Sequence, residues 1–254
     1  MVNDLSPQNL NISGRKILVT GAAQGIGQAV AKWLYQLGAT VVIADIKNCD
    51  DTINIIGKNV RSYILDLSKS EMCNDLINEI TNDNEPLYGL VNCAGLLIRR
   101  NFDTITQHEL DHHYAVNQSG VFFLARAAFE VMRRHNIPGR IILYTSQGAF
   151  NGGLNGSTHY AMNKAAITAL VKSMARLGGS YGITVNAIAP GAVDTQMFSS
   201  GMTALDINRF CELIPIGRIA STDELAAPTA FLLSDWARYI TGTTLHVNGG
   251  QLIV

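Results

Sequence analysis

KILVTGAAQGIG, residues 16–27, is the stretch that decides the fold. Its first five residues form a short β-rich run that stops at Gly21, and the apolar positions of 28–37 then recur at helical spacing until Gly38. The stretch reads as a strand, a glycine turn and a helix. Glycines at such a turn let the backbone bend sharply and approach a diphosphate without a Cβ clash, while the following helix start offers unpaired N–H groups and a partial positive charge. The spacing is GxxxGxG rather than the better-known GxGxxG, so the turn alone would also serve as a plain connection. Gly21, Gln24, Gly25 and Gly27 are the candidate contacts here.

Outward from this turn the alternation repeats. ATVVIAD (39–45) is a continuous buried-type strand, RSYILDLS (61–68) follows, 71–80 has amphipathic helical spacing, and LYGLVNCAG (87–95) is a further strand. Residues 116–133 read as one long helix, 139–146 as a strand, 160–177 as a helix, 183–190 as a strand and 244–247 as a last short strand. Strands alternating with helices imply an α/β fold: a Rossmann-type doubly wound parallel sheet with helices on both faces, because parallel strands need helical crossovers. No linker, charge block or repeat divides 1–254, so a single domain is expected, with about 14–140 mainly cofactor-binding and about 141–254 supplying catalysis and a substrate lid.

Composition narrows the functional classes. The chain has 254 residues, 47% of them apolar, with 19 Lys plus Arg against 20 Asp plus Glu. That excludes a disordered chain, and a net charge of -1 gives no general pull toward nucleic acid or anionic membranes. The longest apolar runs, 41–44 and 183–190, are too short to span a bilayer, and MVNDLSPQNLNISGRK lacks an apolar signal core, so a cytoplasmic location is expected. Cys49, Cys73, Cys93 and Cys211 form no CxxC pair and are expected to be reduced thiols rather than disulfides or metal ligands. Asn-x-Ser/Thr triplets at Asn11, Asn117 and Asn155 carry no weight without a secretory signal.

Two further signals concern chemistry. Asp45 ends the second strand 18 residues after Gly27, near the separation of about 20 at which an acidic residue meets the adenosine ribose hydroxyls. Its carboxylate would repel a ribose 2′-phosphate by up to about 4 kcal/mol for unit charges ~4 Å apart at an effective dielectric near 20. NAD is therefore expected over NADP. Gln24, which brings no cation to the turn, agrees, while the nearby Lys47 pulls the other way. In YAMNK, Tyr160 and Lys164 are four residues apart on an expected helix and so share a face. An ammonium beside a phenol favours phenolate, and the pair predicts a Tyr160 pKa lowered toward neutrality for proton exchange with a substrate oxygen.

Taken in order, TGAAQGIG, Asp45, LDLS, NCAG, Asn117, Ser146, YAMNK and IAPGAVDT resemble the short-chain dehydrogenase/reductase family across almost the whole chain. IPIGRIAST and YITGTTLHVNGG look most like its beta-ketoacyl carrier-protein reductase and sugar-acid or polyol dehydrogenase branches. The resemblance implies a catalytic set of Asn117, Ser146, Tyr160 and Lys164. Tyr160 would be the general acid/base, Ser146 would orient the substrate oxygen, Lys164 would hold the nicotinamide ribose, and Asn117 would fix a relay water. It implies further cofactor contacts at Ile26, Ile46, Asp66 and Leu67, at Asn92, Ala94 and Gly95, and at Pro190, Val193 and Thr195. No metal is expected. The implied activity is NAD-dependent interconversion of a secondary alcohol and a ketone by a homo-oligomer, a tetramer by analogy. The rivals are an NADP-dependent beta-ketoacyl thioester reductase and, from another class, a non-catalytic nucleotide-sensing regulator or scaffold. The last would show erosion of Tyr160, Lys164 or Ser146, and none is eroded.

Departures from the family pattern are also visible. Cys93 stands where a second Asn is usual, Leu177 replaces a common Glu, and Ser146 lies one residue further from Tyr160 than usual, an excess that GAFNGGLNGST must absorb. Ser157 competes with Ser146 but reads better as a turn donor or helix cap. His108 and His112, with His113, Glu109 and Asp111, could face a metal but read as a solvated or interface cluster. Arg99 and Arg100 could meet an anionic substrate or an acidic carrier protein, although a solvated pair is the blander expectation. Residues 190–215 lack periodicity and are expected to form a mobile lid with Met197, Phe198 and Met202 beneath it.

Overall fold

A computed structural model describes residues 10–57, 60–82, 85–154, 156–200 and 202–254. Residues 1–9 of the N-terminal stretch read as lacking an apolar signal core, and Asn155 of the triplet there, lie outside the described residues. Seven parallel strands make one sheet: β1 (Lys16–Thr20), β2 (Thr40–Asp45), β3 (Arg61–Ile64), β4 (Leu87–Asn92), β5 (Arg140–Tyr144), β6 (Thr184–Pro190) and β7 (Thr244–Val247). Their order is β3-β2-β1-β4-β5-β6-β7. In β1, Leu18 pairs with Val42 on one side and Leu90 on the other. The order in which successive strands are added reverses at the β1–β4 pair, the switch point at which doubly wound sheets open a crevice at the strand carboxyl ends.

The crossovers are α1 (Gly25–Gln36), α2 (Asp50–Ile56), α3 (Ser70–Ile80), α4 (Gln107–Tyr114) with α5 (Val121–Arg134), the single turn α6 (Gly148–Asn151) with α7 (Thr158–Gly178), and α8 (Gln196–Ser199), α9 (Ala204–Glu212) and α10 (Asp223–Leu233). Alternation along β1 assigns the two faces. Ile17 and Val19 pack with Val30, Leu34, Leu225 and Leu233 of α1 and α10. Leu18 points the other way, into a cluster with Ile77, Leu124, Met132 and Val171 of α3, α5 and α7. Both faces are therefore covered, as the strand runs without polar alternation require.

Some expectations are corrected. The helix read across 116–133 is broken: Ala115–Gly120 forms a π-helical turn between α4 and α5. The wider turn has causes in distant segments. Asn117 bonds the backbone of Leu96 through its side chain, and any Cβ on Gly120 would collide with the Leu67 carbonyl. The segment 190–215, read as lacking periodicity, holds α8 and α9, and α9 begins with a capping box in which Thr203 and Asp206 satisfy each other's N–H groups. Helices α2 and α10 carried no readable signal: one is seven residues long, and the other, DELAAPTAFLL, is apolar almost all round.

Candidate active site

The glycine turn after β1 is held by backbone rather than by side chains. Gly21 has φ +70°, and a Cβ there would lie 2.5 Å from the Ala94 amide nitrogen, so only glycine lets the turns after β1 and β4 approach each other. A Cβ on Gly27 would collide with the Gly21 carbonyl in the same way. Helix α1 then starts at Gly25 with no acidic residue in its first turn and no side-chain cap from Gln24. Its N-terminal N–H groups and positive dipole end are thus not offset by a carboxylate.

Asp45, at the end of β2, braces this turn. One carboxylate oxygen accepts from the Ala23 amide at 3.0 Å and the other from the Lys47 amide at 3.0 Å. A carboxylate has about four acceptor positions, so two hydrogen bonds leave capacity for hydroxyl donors. The Lys47 ammonium stands 3.4 Å from the Gln24 side-chain oxygen. Ile46 beside them is 63% exposed. On the neighbouring strand, buried Asn92 accepts from the Thr20 hydroxyl at 2.6 Å and donates to the Ala94 carbonyl at 3.4 Å.

Asp66 has its carboxylate engaged locally, by the Ser68 amide and hydroxyl at 3.0 and 2.7 Å. Burial raises its pKa, but the Ser68 hydrogen bonds and the Lys69 and His112 charges lower it by more. Leu67 is buried, its carbonyl against Gly120.

The candidate catalytic side chains meet on one cavity wall. Ser146, Tyr160 and Lys164 line it together with Ile26, Gly95, Pro190, Val193 and Thr195. Ser146 follows β5, its hydroxyl accepting from the Gly148 amide at 3.1 Å and sharing a hydrogen bond with Tyr160. The extra residue before Tyr160 is absorbed by α6 and by left-handed glycines at 152, 153 and 156. Ser157 is settled as a turn residue: its hydroxyl donates to the Leu154 carbonyl at 2.7 Å and accepts from the Leu154 amide at 3.0 Å, and it makes no helix-cap bond.

Lys164, 2% exposed, donates to the Tyr144 carbonyl at 2.8 Å and stands 5.6 Å from the centroid of the Tyr160 ring. Asn117 does not line the cavity; its amide makes a reciprocal pair with Leu96, at 2.7 and 2.8 Å. A Cβ on Gly95 would lie 3.1 Å from the Asn117 oxygen and 3.3 Å from the Lys164 ammonium, so these two groups flank one glycine.

The expected depression of the Tyr160 pKa is not what the structure gives. Burial pushes the phenol up to about 12, against smaller lowering contributions from the Ser146 hydrogen bond and the Arg99 charge. Burial likewise pushes Lys164 down to about 8. Desolvation is the largest cause for both groups, because each sits where its charged form loses water.

Other expectations sort themselves by position. Arg99 and Arg100 are not one pair: Arg99 lines the cavity, whereas exposed Arg100 bonds Glu109 at 2.5 Å. Met197 and Phe198 line the cavity; Met202 is not on its wall. His108 and His112 stack with ring centroids 6.5 Å apart, and His113 is buried, holding the Glu109 carbonyl at 2.9 Å and accepting from the Ile98 amide at 3.1 Å. Among the described residues no group of three or more His, Cys, Asp or Glu side chains is placed to hold a metal ion. Sequence reading missed Leu97, Gln147, Leu154 and Phe210 on the wall. Only Gln147, next to Ser146, had a signal in its position.

A crevice at the switch point of a doubly wound sheet, with a glycine turn on one side and a Ser–Tyr–Lys group on the other, defines a dinucleotide-linked oxidoreductase. The chain belongs to the short-chain dehydrogenase/reductase family. The family model described as enoyl-(acyl carrier protein) reductase matches residues 21–251. The chain is 35% identical over 250 residues to the 3-oxoacyl-(acyl-carrier-protein) reductase FabG of Escherichia coli, covering 96% of this chain and all of that one. Among solved structures it is similar to one from Agrobacterium tumefaciens described as a 2-deoxy-d-gluconate 3-dehydrogenase with bound NADP. That likeness has a TM-score of 0.87 and 30% identity, covering 96% of this chain and 98% of the other. A Brucella melitensis structure named ribose-5-phosphate isomerase has a TM-score of 0.89 at 28% identity, over 96% of this chain and 95% of that one. No helix among the described residues is long and apolar enough to cross a membrane.

Proposed function

We propose that the chain is an NAD-dependent oxidoreductase that interconverts a secondary alcohol and a ketone, with Tyr160 as its general acid/base. One observation carries this reading: Ser146, Tyr160 and Lys164 share a wall with Pro190, Val193 and Thr195 at the carboxyl edge of the sheet. The residues present fit a dinucleotide. The close approach at Gly21, the α1 N-terminus and the spare acceptor positions of Asp45 provide for its diphosphate and ribose. Gly25, Gly27, Gln24, Ile26 and Ile46 would border it, with Asp66, Leu67, Asn92, Ala94 and Gly95 further along the same edge. When bound, nicotinamide supplies hydride chemistry.

The protein's own groups handle the proton. Tyr160 exchanges it with the substrate oxygen, and Ser146 holds that oxygen through the hydroxyl that already bonds Tyr160. Lys164 would hold the ribose hydroxyls, and Asn117, fixed to Leu96, keeps the wall beside Gly95 in place. Residues of about 14–140 thus serve the cofactor, and 141–254 serve the reaction, with α8 and α9 as the substrate cover. A homo-oligomer, by family analogy a tetramer, would bury exposed apolar side chains such as Tyr114 and Phe122. The four free cysteines fit a reducing, cytoplasmic setting.

A second reading, an NADP-dependent 3-oxoacyl thioester reductase, draws support from Lys47 beside Gln24 and from the names of the relatives. Absorbance at the reduced-nicotinamide band, followed with each dinucleotide against sugar acids, polyols, steroids and hydroxyacyl thioesters, tests both. Turnover with NAD and an alcohol supports the first; turnover confined to NADP and thioesters overturns it.

A further inference from the structure

The cavity wall carries cations and no acid. Arg99 and Lys164 line it, and no Asp or Glu does among the described residues. Lys164 is turned to the Tyr144 carbonyl, so Arg99 is the charge left for a substrate. Its Nη2 donates to the Phe198 carbonyl at 3.2 Å, which fixes the guanidinium against α8, and no carboxylate pairs with it among the described residues. The positive charge also reaches Tyr160, the group expected to touch the reacting carbon's oxygen. A partly buried guanidinium without an acid costs desolvation, and a bound anion offsets that cost. Its planar fork of donors matches a carboxylate.

Gln147 adds a second polar anchor. It is 9% exposed and lines the same wall; its amide nitrogen donates to the Gln251 oxygen at 2.7 Å, and its own oxygen is buried without a partner. Whichever way the two amides are turned, one polar atom of Gln147 is left over, and a hydroxyl can satisfy either. Arg100, by contrast, is already paired with Glu109 on the outside. An acidic carrier surface would find little free charge there.

We propose that Arg99 is a specificity-determining residue that binds the carboxylate of a small hydroxylated acid, whose alcohol carbon lies at Tyr160 while a further hydroxyl meets Gln147. This deepens the dehydrogenase reading above and rests on it. One guanidinium balances the single charge of a carboxylate; a phosphate monoester dianion would call for a second cation, and the other cation on this wall, Lys164, is turned to the Tyr144 carbonyl.

Steady-state kinetics with NAD on chain-matched sets test it: hydroxy acids of about four to seven carbons, their neutral polyols, their phosphorylated polyols, and hydroxyacyl thioesters. The acids should exceed the neutral partners at least about 30-fold in kcat/KM. Arg99→Gln should raise KM for the acid roughly 10- to 100-fold, with a smaller change in kcat, and so shrink the preference; Arg99→Lys should restore part of it. Circular dichroism of both variants guards against misfolding. Equal use of the neutral partner, preference for phosphate or thioester, or an unchanged preference in Arg99→Gln overturns this inference and leaves the dehydrogenase standing. No nicotinamide-linked turnover in any set, in the wild type as in Tyr160→Phe, overturns both.

Discussion

Lys164 gives its ammonium to the Tyr144 carbonyl, 2.8 Å away at the end of β5, and faces the Tyr160 ring at 5.6 Å from its centroid. The strand end thus fixes the cation that flanks the phenol. A group so enclosed is costly to charge, which is why burial lowers Lys164 to about 8 and raises Tyr160 to about 12.

Tyr160→Phe removes the hydroxyl proposed to exchange the substrate proton and leaves the ring in its packing. Turnover should fall by at least about a thousandfold, within the range for loss of a general acid/base. Dinucleotide affinity, measured by fluorescence titration, should stay within about threefold. A comparable loss of both would make Tyr160 a binding residue instead.

The raised phenol pKa has a kinetic sign. Alcohol oxidation needs Tyr160 as a base, so kcat/KM in that direction should climb with pH and show no plateau below about 10, whereas ketone reduction, which needs the protonated phenol, should not require alkaline pH. A pH profile of kcat/KM in both directions checks this.

Lys164 has a stability signature of opposite sense to that of Tyr160. Its folded-state pKa is depressed, so between about 8 and 10.5 the unfolded chain binds the proton that the folded chain has released, and stability rises with pH across that window. Tyr160, raised from 10 to about 12, opposes this only above pH 10, where the folded chain keeps the proton longer. Denaturant midpoints of the wild type relative to Lys164→Met should therefore increase from pH 7.5 to 9.5.

Asp45→Asn removes the charge and, because a carboxamide NH2 cannot accept, keeps only one of the two hydrogen bonds from the Ala23 and Lys47 amides. The repulsion toward a 2′-phosphate then disappears, and the ratio of kcat/KM for NAD over NADP should fall by at least about tenfold, well inside the ~4 kcal/mol bound on that repulsion. An unchanged ratio would remove Asp45 from cofactor selection.

Gly21→Ala should cost at least about 2 kcal/mol, because the new methyl would press on Ala94 and the residue would be held at φ +70°. Gly152→Ala is the control. It shares a positive φ but has nothing within 4 Å of the added atom. Chemical denaturation of the two separates the steric contribution from the conformational one.

The sequence by itself determined the seven strands, α1, and the placing of Gly21, Asp45, Ser146, Tyr160 and Lys164 at strand and helix ends. These follow from local rules: buried parallel strands are continuous apolar runs, glycines mark the turns, and four residues make one helical turn. Tertiary structure decided the rest. The π-helical turn at Asn117 depends on a hydrogen-bond pair with Leu96, 21 residues away. The separation of Arg99 from Arg100 depends on which of the two meets the cavity wall, and the upward shift of the phenol on which groups lose water when distant segments close over them. Desolvation is a property of the assembled wall, and no local spacing encodes it.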